Sequence, residues 1–243
     1  MERREDRQTL MASQDPDARF LSVLSHDLRG GLHSVQLAMD MLRGDVLDSV
    51  PMEQLLGDVE LARKSLVEAG ARTERIICAR RMDRGVMPVR IVEADVIPAI
   101  QAAVRVTSLA EEDAAARVHL SLVPTAVLQT DARLAGELVG GLLDYLLREV
   151  TGSTIRLTLD AGGLLEIAVD RDWITPQVSA MLSVATNDPP FAEPTLGLYV
   201  AGAAARLLGT VIQTAADHSL TVSLRGQSQA GPLHAGQSHS RGA

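Results

Sequence analysis

The chain has 243 residues, 46% of them hydrophobic and 22% charged, enough to bury one or two cores at the usual ~100 to 200 residues per domain. Aromatic residues make up only 2%, so the core must be built from Leu, Val, Ile, Ala and Met, and aromatic platforms for nucleic-acid bases are excluded as a theme. With 23 Lys+Arg against 31 Asp+Glu the net charge is -8, the wrong balance for bulk nucleic-acid binding.

A lone cysteine, Cys78, excludes an intramolecular disulfide framework and a cysteine-based zinc cluster. Met1 to Asp17 is charged and lacks the apolar heart of a signal peptide, and nowhere do ~18 apolar residues run together. The expected setting is the reducing cytoplasm, without a membrane span.

Residues 1–16 form a polar extension, and 226–243, rich in Gly, Ser, Gln and His, read as a disordered tail. From Asp17 to Arg43 the apolar residues Leu21, Leu24, Leu28, Leu32, Val35, Met39 and Leu42 step by three and four, one face of a helix. The pattern breaks at Gly44 to Pro51. A second helix follows, with Leu55, Val59, Ala62, Leu66, Ala69, Thr73 and Ile76 in the heptad spacing of a coiled-coil seam. Together, 17–85 predict an antiparallel helical hairpin. Each helix carries more apolar surface than one partner covers, which predicts a homodimeric four-helix bundle; packing on the chain's own C-terminal part is the other way to cover it.

After Gly85 the texture changes. Val86 to Val92 reads as a short strand, Asp95 to Leu109 as a helix begun by a capping Asp, and Arg117 to Leu122 and Ala126 to Gln129 as strands. Asp131 to Glu149 is helical, Thr154 to Leu159 and Leu164 to Asp170 are strands around an Ala161-Gly162-Gly163 turn, and Leu196 to Leu208 is helical. Thr210 to Thr214 and Ser219 to Leu224 close the series. The fold class is α+β, a helical hairpin followed by an α/β sandwich over 86–225 with helices on one sheet face.

His26 falls between Leu24 and Leu28, so at 100° per residue it points away from the apolar stripe. An exposed His beside Asp27 can act as a nucleophile, because a carboxylate can fix the imidazole tautomer and leave the other ring nitrogen its lone pair. A surface His with no role is the plain alternative.

The surrounding segment, FLSVLSHDLRGGLHSVQLAMDML from Phe20 to Leu42, resembles the phosphoacceptor box of the sensor histidine kinases of two-component signalling, F-x4-S-H-D/E-L-R/K on the first helix of a dimeric hairpin. The resemblance implies that His26 is phosphorylated on a ring nitrogen, that Asp27 activates it, and that Arg29 lies near the incoming phosphoryl group. Family members usually carry Thr or Asn at Gly30 and Pro at Gly31, so the water-positioning side chain of a phosphatase step is missing at Gly30. His33 reads as a surface residue.

The resemblance runs on to about residue 225, through the order of elements of the same family's ATP-binding domain, but that domain's motifs are altered. For the helix motif N-L-L-x-N-A-x-K, whose Asn residues serve Mg²⁺, this chain has Gly141-Leu142-Leu143-Asp144-Tyr145-Leu146-Leu147-Arg148. Mg²⁺ demands oxygen ligands in near-octahedral geometry, and neither Gly141 nor Tyr145 offers the lost amide; Asp144 and Glu149 have oxygens at shifted helical angles. For D-x-G-x-G the chain keeps Asp170 but continues Arg171-Asp172-Trp173-Ile174, with Trp173 expected to fill the adenine pocket. For G-x-G-L it has Thr195-Leu196-Gly197-Leu198, leaving Gly197 as the surviving phosphate-loop residue. The preceding loop, Ser183 to Pro194, has Asp188 and Glu193 and no cation, and residues 86–243 carry 10 Lys+Arg against 16 Asp+Glu, a balance of -6.

The resemblance therefore implies a phosphorelay protein: His26 takes a phosphoryl group from one response-regulator receiver aspartate and returns it to another, with no cofactor, little or no ATP-dependent autophosphorylation, and Asp170 and Gly197 as remnants of a nucleotide site. Its expected partners are a second copy, a receiver domain and an upstream kinase. The other readings are a cytoplasmic histidine kinase that uses Mg-ATP at an atypical site, and a non-catalytic adaptor that docks response regulators.

Overall fold

The structure of the chain is a computed structural model that describes residues 51–110, 113–183, 195–215 and 218–226, together with 25, 29, 30, 32, 33, 35–37, 39–41 and 43. The described positions between 25 and 43 are helical. The 1–16 extension, residues 184–194 and the tail from 227 lie outside the described residues.

Met52–Asp83 forms one 32-residue helix, α1. Its first half leaves the predicted seam open, with Val59 49% and Leu66 56% exposed in the single chain. Its last turns enter the core instead, where Ile76, Cys78, Ala79 and Met82 are buried. Gly85 ends it at φ +65°, with Gly85 N-H donating to the Met82 carbonyl and Val86 N-H to that of Arg81, a Schellman stop that needs a left-handed residue.

The chain continues as β1 (Val92–Asp95), α2 (Ile97–Ala110), the single turn α3 (Ala114–Arg117), β2 (Val118–Leu122), β3 (Val127–Thr130) and α4 (Ala132–Glu149). Then come β4 (Ile155–Leu159), β5 (Leu164–Val169), α5 (Pro176–Ser183), α6 (Thr195–Leu207), β6 (Gln213–Thr214) and β7 (Ser219–Ser223). Strands β1 and β3 pair alone; the main sheet has the order β2-β4-β5-β7-β6, with β2-β4 parallel and the rest antiparallel. Its strands alternate, Ile155, Leu157 and Leu159 being buried while Arg156 is exposed. One face is thus covered and the other wet.

The predicted cap at Asp95 is made, and Asp131 caps its helix in the same way. Asp95 accepts from Ile97 N-H at 3.1 Å, and Asp131 accepts from Arg133 and Leu134 N-H at 3.1 and 3.2 Å, satisfying orphan donors of a first turn. Two strand predictions are corrected. Val86 to Ile91 is not a strand: Pro88 has no N-H for a ladder, and Arg90 spends its N-H on the Asp131 carboxylate at 3.0 Å. The strand predicted from Thr210 shrinks to Gln213–Thr214, because Thr210 N-H closes the end of α6 on the Ala205 carbonyl. Helix α5 was not anticipated; its start is legible in Thr175, whose Oγ1 accepts from Val178 N-H at 3.2 Å, followed by Pro176 at the first helical position.

Helix α6 is buried on every side from Leu196 to Ala205, because α4, α1 and α5 all pack on it. That fits its sequence, TLGLYVAGAAARL, which has no polar face to offer water. Among the described residues no helix is long and apolar enough to cross a membrane.

Candidate functional site

His26 and Asp27 lie outside the described residues. Of the segment that resembles the phosphoacceptor box, Ser25, Arg29, Gly30, Leu32 and His33 are helical and exposed. A Cβ added at Gly30 would meet nothing within 4 Å, so packing does not impose glycine there. Leu32 and Met39, on the predicted stripe, are 65% and 60% exposed in the single chain.

The region aligned with the family's nucleotide motifs is described almost throughout. Gly141 and Gly197 face each other across α4 and α6. A Cβ on Gly141 would overlap the Gly197 carbonyl oxygen and stand 3.1 Å from Ala201 N, and a Cβ on Gly197 would overlap the Gly141 carbonyl oxygen. The helices touch backbone to backbone, at the point where the resemblance would place a magnesium-linked amide opposite a phosphate loop. A phosphate chain has no room between them.

Asp144, the nearest carboxylate on α4, is buried. It is held by Arg75 Nη1 of α1 at 2.5 Å and by Arg148 Nε at 3.2 Å. A buried carboxylate needs such partners, and both guanidinium groups meet its Oδ1. Arg75 is a residue the sequence did not single out. Its signal is weak, a charged residue one place before the seam residue Ile76.

Trp173, only 4% exposed, occupies the turn that replaces D-x-G-x-G. Its Nε1 donates to the His218 carbonyl at 2.8 Å, and its ring lies 6.3 Å from that of Tyr145 at 46°, a tilted aromatic pair. Burial, with the charge of Glu149 adding, pushes the Tyr145 hydroxyl above its ordinary pKa, so it stays neutral. Asp170 is exposed, and its carboxylate accepts from Thr154 N-H at 3.1 Å. That bond chiefly holds its pKa below the usual carboxylate range. Asp170 thus ties β5 to the start of β4, whereas Gly197 lies against Gly141 and Asp144. Among the described residues the ligand set that the resemblance calls for is absent: one amide position is closed by helix contact, the other is a Tyr beside a Trp, and Asp144 is paired with two arginines.

No family model matches the chain, and no curated protein matches it. In fold the chain is similar to histidine kinase domains. The histidine kinase AdeS of Acinetobacter baumannii is 16% identical with a TM-score of 0.45, over 83% of this chain and 98% of that one. A bacterial phosphotransferase is also 16% identical with a TM-score of 0.45, over 86% and 95%. The histidine kinase domain of a blue-light activated kinase from Erythrobacter litoralis is 15% identical with a TM-score of 0.38, over 85% and 94%. Likenesses this distant transfer no residue roles, which rest here on this chain's own residues.

Proposed function

We propose that the chain is a cytoplasmic phosphotransfer protein of two-component signalling. His26 accepts a phosphoryl group from the aspartyl phosphate of a receiver domain and passes it to another, forming a P-N bond as the aspartyl P-O bond breaks and reversing the exchange on the way out. Asp27 fixes the imidazole tautomer and Arg29 balances the phosphoryl charge. The observation that carries the reading is the Gly141 to Gly197 contact: the acceptor segment is intact in the sequence, while the helices aligned with the nucleotide motifs meet backbone to backbone. Incubation with labelled ATP alone should leave the protein unlabelled, and a phosphorylated receiver domain should label it. His26→Ala should abolish the label and leave the fold intact, since His26 falls off the apolar stripe of its segment and surface changes usually cost within ~0.5 kcal/mol. Label appearing from ATP alone would restore the kinase reading, and an alanine variant that still supports signalling would leave the adaptor.

The working unit is proposed to be a homodimer through 17–85. Leu56, Val59 and Leu66 fall within about 80° of one another on α1 at 100° per residue and are about half exposed or more, and such an apolar stripe marks a surface awaiting a partner. Leu66→Asp would bury a charge in that seam at several kcal/mol. Light scattering should find a dimer for the wild type and a monomer for this variant; a wild-type monomer at micromolar concentration refutes the arrangement.

A further inference from the structure

Away from the closed nucleotide region, α1, α2 and α4 enclose an open cavity of about 290 Å³. It exists because its walls are small. Gly136 and Gly140 of α4 bring that helix close to Ala99 and Ala103 of α2, where an added Cβ would stand 3.4 and 3.6 Å from their nearest atoms. Ala102 and Val106 extend the apolar wall, and Glu74, Arg75, Arg133 and Glu137 bring charge to the rim and depth.

The charges are not equivalent. Arg75 is committed to Asp144 at 2.5 Å, and Arg133 donates to the Pro88 carbonyl at 2.8 Å and to Met87 Sδ at 3.1 Å. Glu137, half-buried on α4, has the Cys78 thiol as its hydrogen-bonding neighbour, a weak donor. Desolvation pushes that thiol up to about 12, so it stays protonated. The charge of both arginines reaches Glu137, but their hydrogen bonds go elsewhere, which leaves the cavity two carboxylates without an arginine donor and an aliphatic wall.

We propose that this cavity binds a small aliphatic amine as its ammonium ion, with the Glu137 carboxylate as counter-charge and the Ala99-to-Val106 wall against the hydrocarbon part. The volume lies at the small end of ligand sites, which favour the junction between two structural parts, here the hairpin helix and the α/β sandwich. A cation meets what the site lacks, a strong donor to Glu137. Because the ligand touches α1 on one side and α2 and α4 on the other, it binds the docked arrangement and stabilises it by mass action. The inference stands apart from the phosphotransfer reading, since it involves neither His26 nor a phosphoryl group.

Glu137 also gives the binding a pH signature. The groups facing it are Glu74, Arg75 and Cys78 on α1 and Arg133 on its own helix, while α2 contributes uncharged residues to the cavity. Burial first, with Glu74 adding, raises its pKa above the ordinary 4.5, against the lowering effect of Arg75. The folded state therefore disfavours the ionised form. Stability from this group is full below the ordinary value and falls as pH rises through the raised one. An ammonium ion reverses that bias, so binding releases a proton at acid pH and tightens up to tenfold per pH unit until Glu137 is fully ionised.

Calorimetry on the full chain with n-butylamine hydrochloride, against n-butanol as the neutral control, tests the site. Saturable binding of butylammonium that strengthens from pH 5 to 7.5, weakens at least tenfold in Glu137→Gln, and is matched by no butanol binding is the expected result. Glu137→Gln should melt no lower than the wild type at pH 7.5, having lost a charge that opposes folding. Ala102→Met, which fills the wall and keeps Glu137, should also block binding, and it serves if the first variant fails to fold. No saturable binding at millimolar amine, equal binding of butanol, or unaltered affinity in both variants overturns the proposal.

Discussion

Gly141→Ala should lower the stability of the protein by about 2 kcal/mol, and Gly141→Asn, which writes the family's residue back into the helix, should lower it further. Alanine is ordinarily the better helix residue by ~1 kcal/mol, so the sign depends on what the new Cβ meets. It meets the Gly197 carbonyl oxygen and, at 3.1 Å, Ala201 N. Both are backbone atoms of α6, which is buried on all sides and cannot swing away as a side chain would. The helices must part, and overpacking of this kind costs ~1 to 3 kcal/mol or more. Asparagine adds an amide with no designed partner in a buried place, another ~1 to 3 kcal/mol. For a chain this size each kcal/mol moves the melting temperature by roughly 2 to 4 °C, so thermal unfolding should fall by at least ~4 °C for Ala and more for Asn. A Gly141→Asn protein that melts like the wild type and gains Mg-ATP binding would show that the helices can open, and the closed-site account would fail.

The same contact shows how far the sequence could be followed. The loss of Asn at 141 is visible in the letters, but a missing ligand says only that magnesium loses an oxygen. That Gly141 is required by Gly197 depends on two helices more than fifty residues apart meeting at the smallest residues of each, which no local pattern encodes. Trp173 lies between these cases. Its bulk between the two lost glycine positions, now Asp172 and Ile174, suggests a filled pocket, while its partners, the Tyr145 ring and the His218 carbonyl, come from a helix and a loop distant in sequence.

Local chemistry was the legible part. Asp95 and Asp131 announce their helices because a cap acts on N-H groups two or three residues away, and Gly85 announces the end of α1 for the same reason. The failures at Val86 to Ile91 and Thr210 are also local, but there a backbone donor is spent elsewhere: on Asp131 across 41 residues for Arg90, and on the end of α6 for Thr210. The heptad seam was legible as a period and not as a partner. Its Ile76 end enters the chain's own core, while Val59 and Leu66 face outward.

Arg117→Met should cost about 3 kcal/mol, although the sequence gives Arg117 no more than the first place of a strand. The side chain is 8% exposed and lies under the C-terminus of α4. Nε donates to the Ser153 carbonyl at 3.1 Å, Nη1 to Leu147 at 3.0 Å, and Nη2 to Val150 at 2.6 Å and Leu146 at 3.4 Å. The last carbonyls of a helix have no partner within it and carry the negative end of its dipole; here a buried guanidinium takes up several at once. Methionine keeps much of the hydrocarbon and removes every donor, leaving buried acceptors at ~1 to 3 kcal/mol each before water reaches them. Lysine keeps the charge but not the planar fork, so Arg117→Lys should fall between the two. The ion pair to Asp113, at 3.3 Å with that carboxylate 58% exposed, is a surface interaction worth little, and Asp113→Ala should melt within ~2 °C of the wild type. Thermal unfolding of the four proteins decides the matter. A drop of roughly 6 to 12 °C for methionine with almost none for Asp113→Ala identifies the carbonyl cap as the source of stability, whereas equal losses in the two would assign it to the ion pair.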